Sequence, residues 1–324
     1  MGLAIALVPW PQAWVERRFA GGLFPLTSRL LAPWVGAVPW SLTGALAGAW
    51  LVAALLALLT PAGRRWLVRV LLPWSTAALI LGFSLVWGLA YRRAPLATIL
   101  GLAASAPDAA QLASAETQLL TAVRASAASP SPTAADVGEA ARCVVAEVRR
   151  ITGVTVAVPR RVVLLPAGTL LRSGFAGVTS PWLLEPHVDA GLPAVARLAT
   201  AVHELTHTAG FAREADTDAL SVLAGLRCPD PAVRYAVALH GVGLLLAALP
   251  VQQRGQLVAD LPARAIDDLR AADAAAARYR VGWLERASTT AYGQYLRSRG
   301  VAAGMADYGR ALTLIVQALA HGAG

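Results

Sequence analysis

Residues 193–218 read PAVARLATAVHELTHTAGFAREADTD, and they constrain the architecture more than any other part of the chain. The first half is predicted to be a helix that Pro193 opens in its first turn and Gly210 closes. Residues at positions i and i+4 lie on one face of a helix, so the imidazoles of His203 and His207 can point at a common ion. The pattern therefore predicts a helix that carries two metal ligands.

Glu204 lies directly after the first of these histidines. At that position the carboxylate would face a water molecule on the ion instead of the ion itself, which is the placement of a general base. The plain alternative is a solvated acidic helix face with two histidines in ordinary hydrogen bonds. Because the required residue types recur at compatible spacing, we favour the metal site.

The residues after Gly210 resemble those of gluzincin-type zinc peptidases, in which a glutamate on the following helix is the third zinc ligand. Glu214 and Asp218 form an ExxxD pair on one face of that helix. The resemblance implies Glu214 as the third ligand, Zn2+ as the metal, and Asp218 as the residue that orients a histidine ligand. The linker from His207 to Glu214 is short for this class, and Asp216 competes for the same role.

The first third of the chain is strongly apolar. Hydrophobic residues make up 56% of the whole chain and charged residues only 15%, whereas a soluble domain is about a quarter charged. No charged residue occurs between Arg29 and Arg64, and the charge-free residues 37–59 are long enough to cross a hydrocarbon core of about 30 Å. A second such stretch, 70–91, follows after a short link. We predict a transmembrane helical hairpin over 37–92.

Arginines near these stretches predict the orientation. Three of them fall within residues 64–69, at the turn between the two spans, which favours a cytoplasmic turn. That orientation places the chain after Tyr91 outside the cytoplasm, in a multi-pass protein of the cell membrane. Residues 1–36 are predicted to form an interfacial or partial membrane segment, in which Met1–Val8 is too short to span and 24–34 lie in the interface.

After Arg93 the chain has the character of a water-soluble domain. Residues 93–134 are predicted to be a helical connector, and 135–324 an α+β metallopeptidase-like domain. Two β-branched runs and one Gly- and Pro-punctuated stretch are predicted to be extended, namely 154–158, 161–165 and 175–188. We therefore expect a mostly α protein, in which a transmembrane hairpin precedes a zincin-like domain with a small sheet and an HExxH helix.

Cys143 and Cys228 are the only cysteines, and their spacing fits no metal motif. They are either a disulfide, if this part of the chain lies outside the cytoplasm, or two small buried apolar residues. The formal charge of +9 comes from arginines that are scattered through apolar segments without a basic stripe. No nucleic-acid partner is therefore expected.

Several short motifs resemble an uncharacterised bacterial membrane family known as domain of unknown function 3810. Its members pair N-terminal spans with a domain that contains a HExxHxxGFxxExE-like motif, and the likeness extends over most of this chain. Departures are a truncated first span, Asp218 in place of a common asparagine, and Leu184-Glu-Pro-His187 in place of a TGEA signature. The other similar segments are PQAWVE at 11–16, LFP at 23–25, WGLAYRR at 87–93, GVTSP at 177–181 with Glu185, Arg234-Tyr235, Tyr295-Leu-Arg, Gly304 and Tyr308.

These patterns lead us to expect a membrane-anchored zinc metallopeptidase that acts on a peptide or protein substrate. Residues 175–179 are a candidate edge strand for pairing with the substrate backbone, with a plain loop as the alternative. Tyr235 and His240 are candidates for stabilising the oxyanion, although the apolar helical setting of His240 favours a packed core histidine. The alternative function is a zinc-binding pseudoenzyme, or a membrane-anchored scaffold with a structural metal site.

Overall fold

The computed structural model describes residues 10–103, 105–298 and 308–322. Within these ranges the protein is mostly helical with one three-stranded sheet, which confirms the predicted secondary-structure class. The predictions for Met1–Val8, for Gly304 and for the side chain of Tyr308 concern parts of the chain outside this description.

All three strands lie between the sixth and seventh helices, so the sheet directly precedes the helix that carries the HExxH motif. The strands are β1 Val163–Leu165, β2 Gly177–Ser180 and β3 Glu185–Asp189. The helices are α1 Gln12–Ala37, α2 Leu42–Ala57, α3 Pro61–Arg92, α4 Leu96–Ile99, α5 Ala109–Ser126, α6 Ala134–Thr152, α7 Ala194–Thr208, α8 Glu214–Leu226, α9 Pro231–Ala248, α10 Val251–Ala259, α11 Ala263–Tyr279, α12 Gly282–Ser298 and α13 Tyr308–Ala320.

Two helices in the described ranges, α3 and α9, are long and apolar enough to cross a membrane. A third candidate exists if α1 and α2, which meet at 84°, count as one broken span. α3 contains the second predicted span. The first predicted span corresponds mainly to α2, which has 16 residues and is about 24 Å long at 1.5 Å per residue. α2 alone is therefore shorter than a hydrocarbon core, while more than half of the apolar window of α9 (56%) is buried inside the protein.

The sheet has the order β1–β3–β2. β1 pairs with β3 in parallel, and β2 pairs with β3 antiparallel. β1 is the last part of the strand predicted over 161–165. β2 overlaps the stretch 175–179 and is an edge strand, and in the described part of the chain only one of its sides has a strand partner.

The strand predicted over 154–158 is wrong, since this segment has no regular secondary structure. Its backbone groups find partners on α1 instead. The Ala157 amide donates to Ser28 Oγ at 3.1 Å, and the Arg29 guanidinium donates to the Thr155 carbonyl at 3.2 Å. The β-branched composition of the segment therefore reflects packing against a helix, a tertiary context that overrides strand propensity.

α1 has one buried face and one exposed apolar face. Phe19 and Phe24 are both 1% exposed, and Phe24 packs against the C-terminal end of α7. Gly210 lies there with φ at +94°, and a Cβ at this position would come within 2.7 Å of the Phe24 ring. Glycine is therefore required both for the backbone turn and for the close approach of α1. The exposed face of α1 carries Leu26, Leu30 and Trp34.

One hydrophobic core joins the helices that follow Arg93 to the C-terminal end of α3. A disulfide links Cys143 on α6 to Cys228, which follows α8. The structure thus selects the disulfide among the two alternatives that the sequence leaves open. Because the two cysteines are 85 residues apart, the bond ties the helix before the sheet to the helix after the HExxH motif.

The first turn of α2 is bound to β3 through the buried carboxylate of Glu185. This group accepts hydrogen bonds from the amides of Leu42 and Thr43 at 2.7 and 2.9 Å and from the Ser41 hydroxyl at 3.1 Å. The Ser41 hydroxyl also lies 2.9 Å from His187 Nε2. Free amides at a helix N-terminus favour a negative charge, so Glu185 holds α2 on the domain.

We expect Glu185→Gln to lower the free energy of unfolding by about 3 kcal/mol at neutral pH. Burial raises the pKa of Glu185, but hydrogen bonds from His187 and from the Thr43 and Leu42 amides lower it to about 2. A depressed pKa in the folded state means that this stabilisation is present above the unfolded pKa, about 4.3, and is lost as the pH falls toward 2. Thermal unfolding in detergent between pH 7 and pH 2 tests this. Glu139→Gln, at a partly exposed position on α6, is the control, and equal pH dependence of both variants would contradict the assignment.

Candidate metal centre

Three side-chain atoms converge between α7 and α8. His203 Nε2 and His207 Nε2 are 3.1 Å apart, and Glu214 Oε2 lies 3.3 Å from the first and 3.5 Å from the second. A tetrahedral ion with ligands at about 2.0–2.1 Å has ligand atoms about 3.3–3.4 Å apart. The donor atoms and their separations therefore fit a single metal ion.

Local structure explains how the three ligands meet. The two histidines are one helical turn apart and share the face of α7 that turns toward α8. Gly210, in the left-handed region, ends α7 and reverses the chain. Glu214 is then the first residue of α8, so its side chain is delivered back to the imidazoles after a connection of only a few residues.

The outer nitrogen of each imidazole has a hydrogen-bond acceptor. His203 Nδ1 lies 2.8 Å from Asp218 Oδ1, and His207 Nδ1 lies 2.7 Å from the Phe211 carbonyl oxygen. An acceptor at Nδ1 keeps the proton there and leaves the Nε2 lone pair free. Both histidines are thus held in the tautomer that a metal ligand needs.

The third candidate ligand is held from the far end of the chain. The hydroxyl of Tyr292 on α12 donates to Glu214 Oε1, which leaves Oε2 facing the two histidines. Tyr292 is itself fixed by aromatic contacts, stacked on Tyr295 with ring centroids 5.8 Å apart and edge-on to Phe175 at 5.6 Å. The orientation of Glu214 therefore depends on α12 as well as on α8.

Glu204 is 4% exposed and is positioned by β2. The Thr179 hydroxyl donates to Glu204 Oε2 at 2.7 Å. A Cβ at Gly177 would lie 2.6 Å from Glu204 Oε1, so only glycine lets the strand pack this closely on the carboxylate. The edge strand thus lies directly beside the candidate general base.

The site gathers three buried carboxylates, and the ion-pair partners around them are histidines. Glu204, Glu214 and Asp218 are all buried, and in the described part of the chain no arginine forms an ion pair with any of them. Burial lowers the pKa of His203, but Asp218 and Glu214 raise it well above its usual value. Burial raises the pKa of Glu214, and the two imidazoles lower it well below its usual range. A divalent cation bound by the histidines and Glu214 would balance the negative charge of the carboxylates. Without a cation, protonated imidazoles balance that charge.

Glu214, and not Asp216, is the acid that faces the histidines. Asp216 accepts a hydrogen bond from the Leu96 amide at 3.2 Å through Oδ1, and its Oδ2 pairs with Arg213 at 3.1 Å. These contacts tie α8 to α4 and to the end of α3. The competition between the two acids that the sequence leaves open is therefore decided by packing.

Neither predicted oxyanion stabiliser contacts the three candidate ligands in the described structure. The Tyr235 hydroxyl donates to Asp268 on α11 at 2.8 Å, and Arg264 lies over its ring. His240 is closer to the centre, with Nε2 3.4 Å from Asp218 Oδ1. The oxyanion role stays a prediction for both residues.

Three side chains make contacts at the centre that the sequence-based prediction does not specify. Trp87 packs against His207 with ring centroids 5.7 Å apart, and Thr179 binds Glu204. Both fall in segments that resemble the family's motifs, which was the only signal. Tyr292 lies 78 residues from its partner Glu214, and no local pattern marks it.

Fold and site together define a mostly helical protein with two to three helices apolar enough to cross a membrane and a buried His–His–Glu cluster that could hold a metal ion. The chain belongs to the family described as "Protein of unknown function (DUF3810)", whose model matches residues 19–316. This match confirms the family that the short motifs indicate. No curated protein and no solved structure matches the chain.

Proposed function

We propose that this protein is a membrane-anchored zinc-dependent metallopeptidase. The observation that supports the proposal best is the arrangement of His203, His207 and Glu214, whose donor atoms lie 3.1 to 3.5 Å apart. The other nitrogen of each imidazole and the other oxygen of the carboxylate are each hydrogen-bonded to the protein. Two imidazoles and one carboxylate are a ligand set typical of catalytic zinc, because three protein ligands leave a fourth position open. A structural zinc site usually closes all four positions.

Zinc in this site would lower the pKa of a water molecule to about 7 and polarise the substrate carbonyl. Glu204 would accept the proton of the attacking water and pass it to the leaving amine. Thr179 and Gly177 hold the Glu204 carboxylate beside the ligands, and Asp218 keeps His203 in the required tautomer. The chain thus supplies a base, its orientation and the ligand geometry.

Two features support an anchored domain outside the cytoplasm. Residues 70–81 of α3 are almost entirely exposed although they are apolar, as is most of α2, and lipid is the environment in which such surfaces are stable. The disulfide between Cys143 and Cys228 lies in the soluble part, and such bonds persist in oxidising compartments. The disulfide agrees with the orientation that the arginines near the spans predict.

Metal content and hydrolysis of general peptide substrates test the proposal. The full chain in lipid nanodiscs is expected to contain one zinc per chain and to cleave a peptide library. A chelator should abolish cleavage, and stoichiometric Zn2+ should restore it. Zinc without any cleavage would favour the pseudoenzyme alternative. Protein that binds no zinc would overturn the proposal.

A further inference from the structure

The exposed apolar helices α2 and α3 both contact the rest of the protein at the turn between β2 and β3. The indole of Trp182 in this turn donates to the Leu79 carbonyl of α3 at 2.9 Å. Glu185, which ends the turn, binds the first amides of α2. α3 is exposed up to Leu81 and becomes buried in the domain from Ser84 onward. With α2 and α3 in the bilayer, as proposed, this turn lies at the membrane surface.

The metal centre lies close to that level. Trp87, two helical turns after Leu79, packs against the candidate ligand His207. Eight residues of helix correspond to about 12 Å along the axis. A second path is shorter, because Thr179 contacts Glu204 and Trp182 lies only three residues further along, in the turn after β2, at most roughly 10 Å away. The centre is thus within about 12 Å of the turn along either path.

The surface between these two points is a strand edge that has no strand partner on its outer side in the described part of the chain. β2 has the sequence GVTS, with none of the charges or prolines that usually block an edge strand. Val178 is 46% exposed, and Thr179 contacts the Glu204 carboxylate. Such an edge accepts an extended polypeptide through its free amide and carbonyl groups. A chain bound there would run past Glu204 and on toward the membrane.

We propose that the substrate is the extended segment of a membrane-anchored polypeptide immediately outside the bilayer, bound along β2. This inference rests on the proposed function and names its substrate class. At about 3.3 Å per extended residue, a distance of at most about 12 Å places the scissile bond within about four residues of the membrane surface. The anchor of the substrate shares the bilayer with α3, which raises the local concentration of the segment at the site.

A spacing series tests the proposal. The full zinc-loaded protein is placed in nanodiscs together with a cleavable peptide that carries one hydrophobic helix, attached at its N-terminus in one set and at its C-terminus in the other. The cleavage of these anchored peptides is compared with that of the same peptide without an anchor. We expect anchored peptides to be cleaved with kcat/KM at least about 10-fold higher than free ones. When a Gly-Ser spacer is inserted after the anchor, the cut should stay at the same distance from the bilayer and move along the sequence. Equal cleavage of free and anchored peptides, or a cut that follows the sequence, would overturn the proposal.

Cross-linking gives a readout that does not depend on hydrolysis. The only two cysteines of the chain form the disulfide, so Val178→Cys provides a single free thiol on β2 for a benzophenone label. Leu164→Cys, on the opposite edge strand and 49% exposed, is the matched control. In a Glu204→Gln background, anchored peptide should cross-link to position 178 and not to position 164.

The two arms separate the inference from the function on which it rests. Cross-linking at position 178 without cleavage by the unsubstituted protein would contradict peptide hydrolysis and support the binding of a membrane-anchored segment. Cleavage of free peptides, together with equal cross-linking of the anchored peptide at positions 178 and 164, would support hydrolysis and contradict the proposed substrate class.

Discussion

Glu204→Gln is expected to lower kcat/KM for peptide hydrolysis by about 10³-fold or more, while the protein keeps one zinc per chain. Glutamine has the shape of glutamate and can still accept the hydrogen bond from Thr179, so the packing of β2 on α7 is retained. It cannot take a proton from water at neutral pH. The three ligand side chains are unchanged, and metal binding should therefore separate cleanly from catalysis. Elemental analysis and a peptide assay on the same sample measure both quantities.

Glu147→Gln is the matched control for this experiment. Glu147 is as buried as Glu204, at 3% exposed, but it pairs with Arg150 on α6 and does not contact the histidines. Hydrolysis by this variant should be unchanged at temperatures where it remains folded. If Glu204→Gln retained full activity with bound zinc, another group would have to accept the proton, and the proposed mechanism would be wrong.

His203→Ala is expected to remove the metal, with zinc content falling to below about a tenth of an equivalent and hydrolysis lost. The reason is the ligand count, because only His207 and Glu214 would remain. The substitution also removes the group that offsets the charges of Asp218 and Glu214. The disulfide and the core packing lie elsewhere, so circular dichroism should still report a helical protein.

His240→Ala separates ligation from proximity. Both imidazoles lie beside the same oxygen of Asp218, His203 at 2.8 Å and His240 at 3.4 Å, but only His203 belongs to the cluster that could hold an ion. His240→Ala should therefore keep its zinc. If both alanine variants kept one zinc per chain, the cluster would not be the metal site.

Elements governed by local rules were predictable from the sequence. The helix before Gly210 and the turn that follows it depend on helical spacing and on one glycine with positive φ. The helices over 109–126 and 134–152 begin at capping boxes, at Asp108 and Thr133, which satisfy the free amides of the first turn. These features act within a few residues, so a single sequence contains the information.

Elements that depend on distant partners were predicted incorrectly or left open. The segment 154–158 has strand-forming residues, yet its backbone binds Ser28 and Arg29 on a helix about 130 residues earlier. The first predicted span corresponds mainly to α2, a short helix that meets α1 at 84° and is docked at its start to Glu185. In both cases a tertiary hydrogen bond, which no local pattern encodes, outweighs an intrinsic preference.

The sequence alone determined that two imidazoles one helical turn apart, with a glutamate beside the first, would share a face of α7. Only the tertiary structure decided which acid completes the cluster, since α8 turns Glu214 toward the histidines while Leu96 and Arg213 engage Asp216. It also decided that Tyr292 supports Glu214, that the edge strand β2 contacts Glu204, and that the turn after β2 contacts α3. The physical reason is one of range: helical periodicity places side chains within one element, whereas the relative placement of separate elements follows from packing of the whole core.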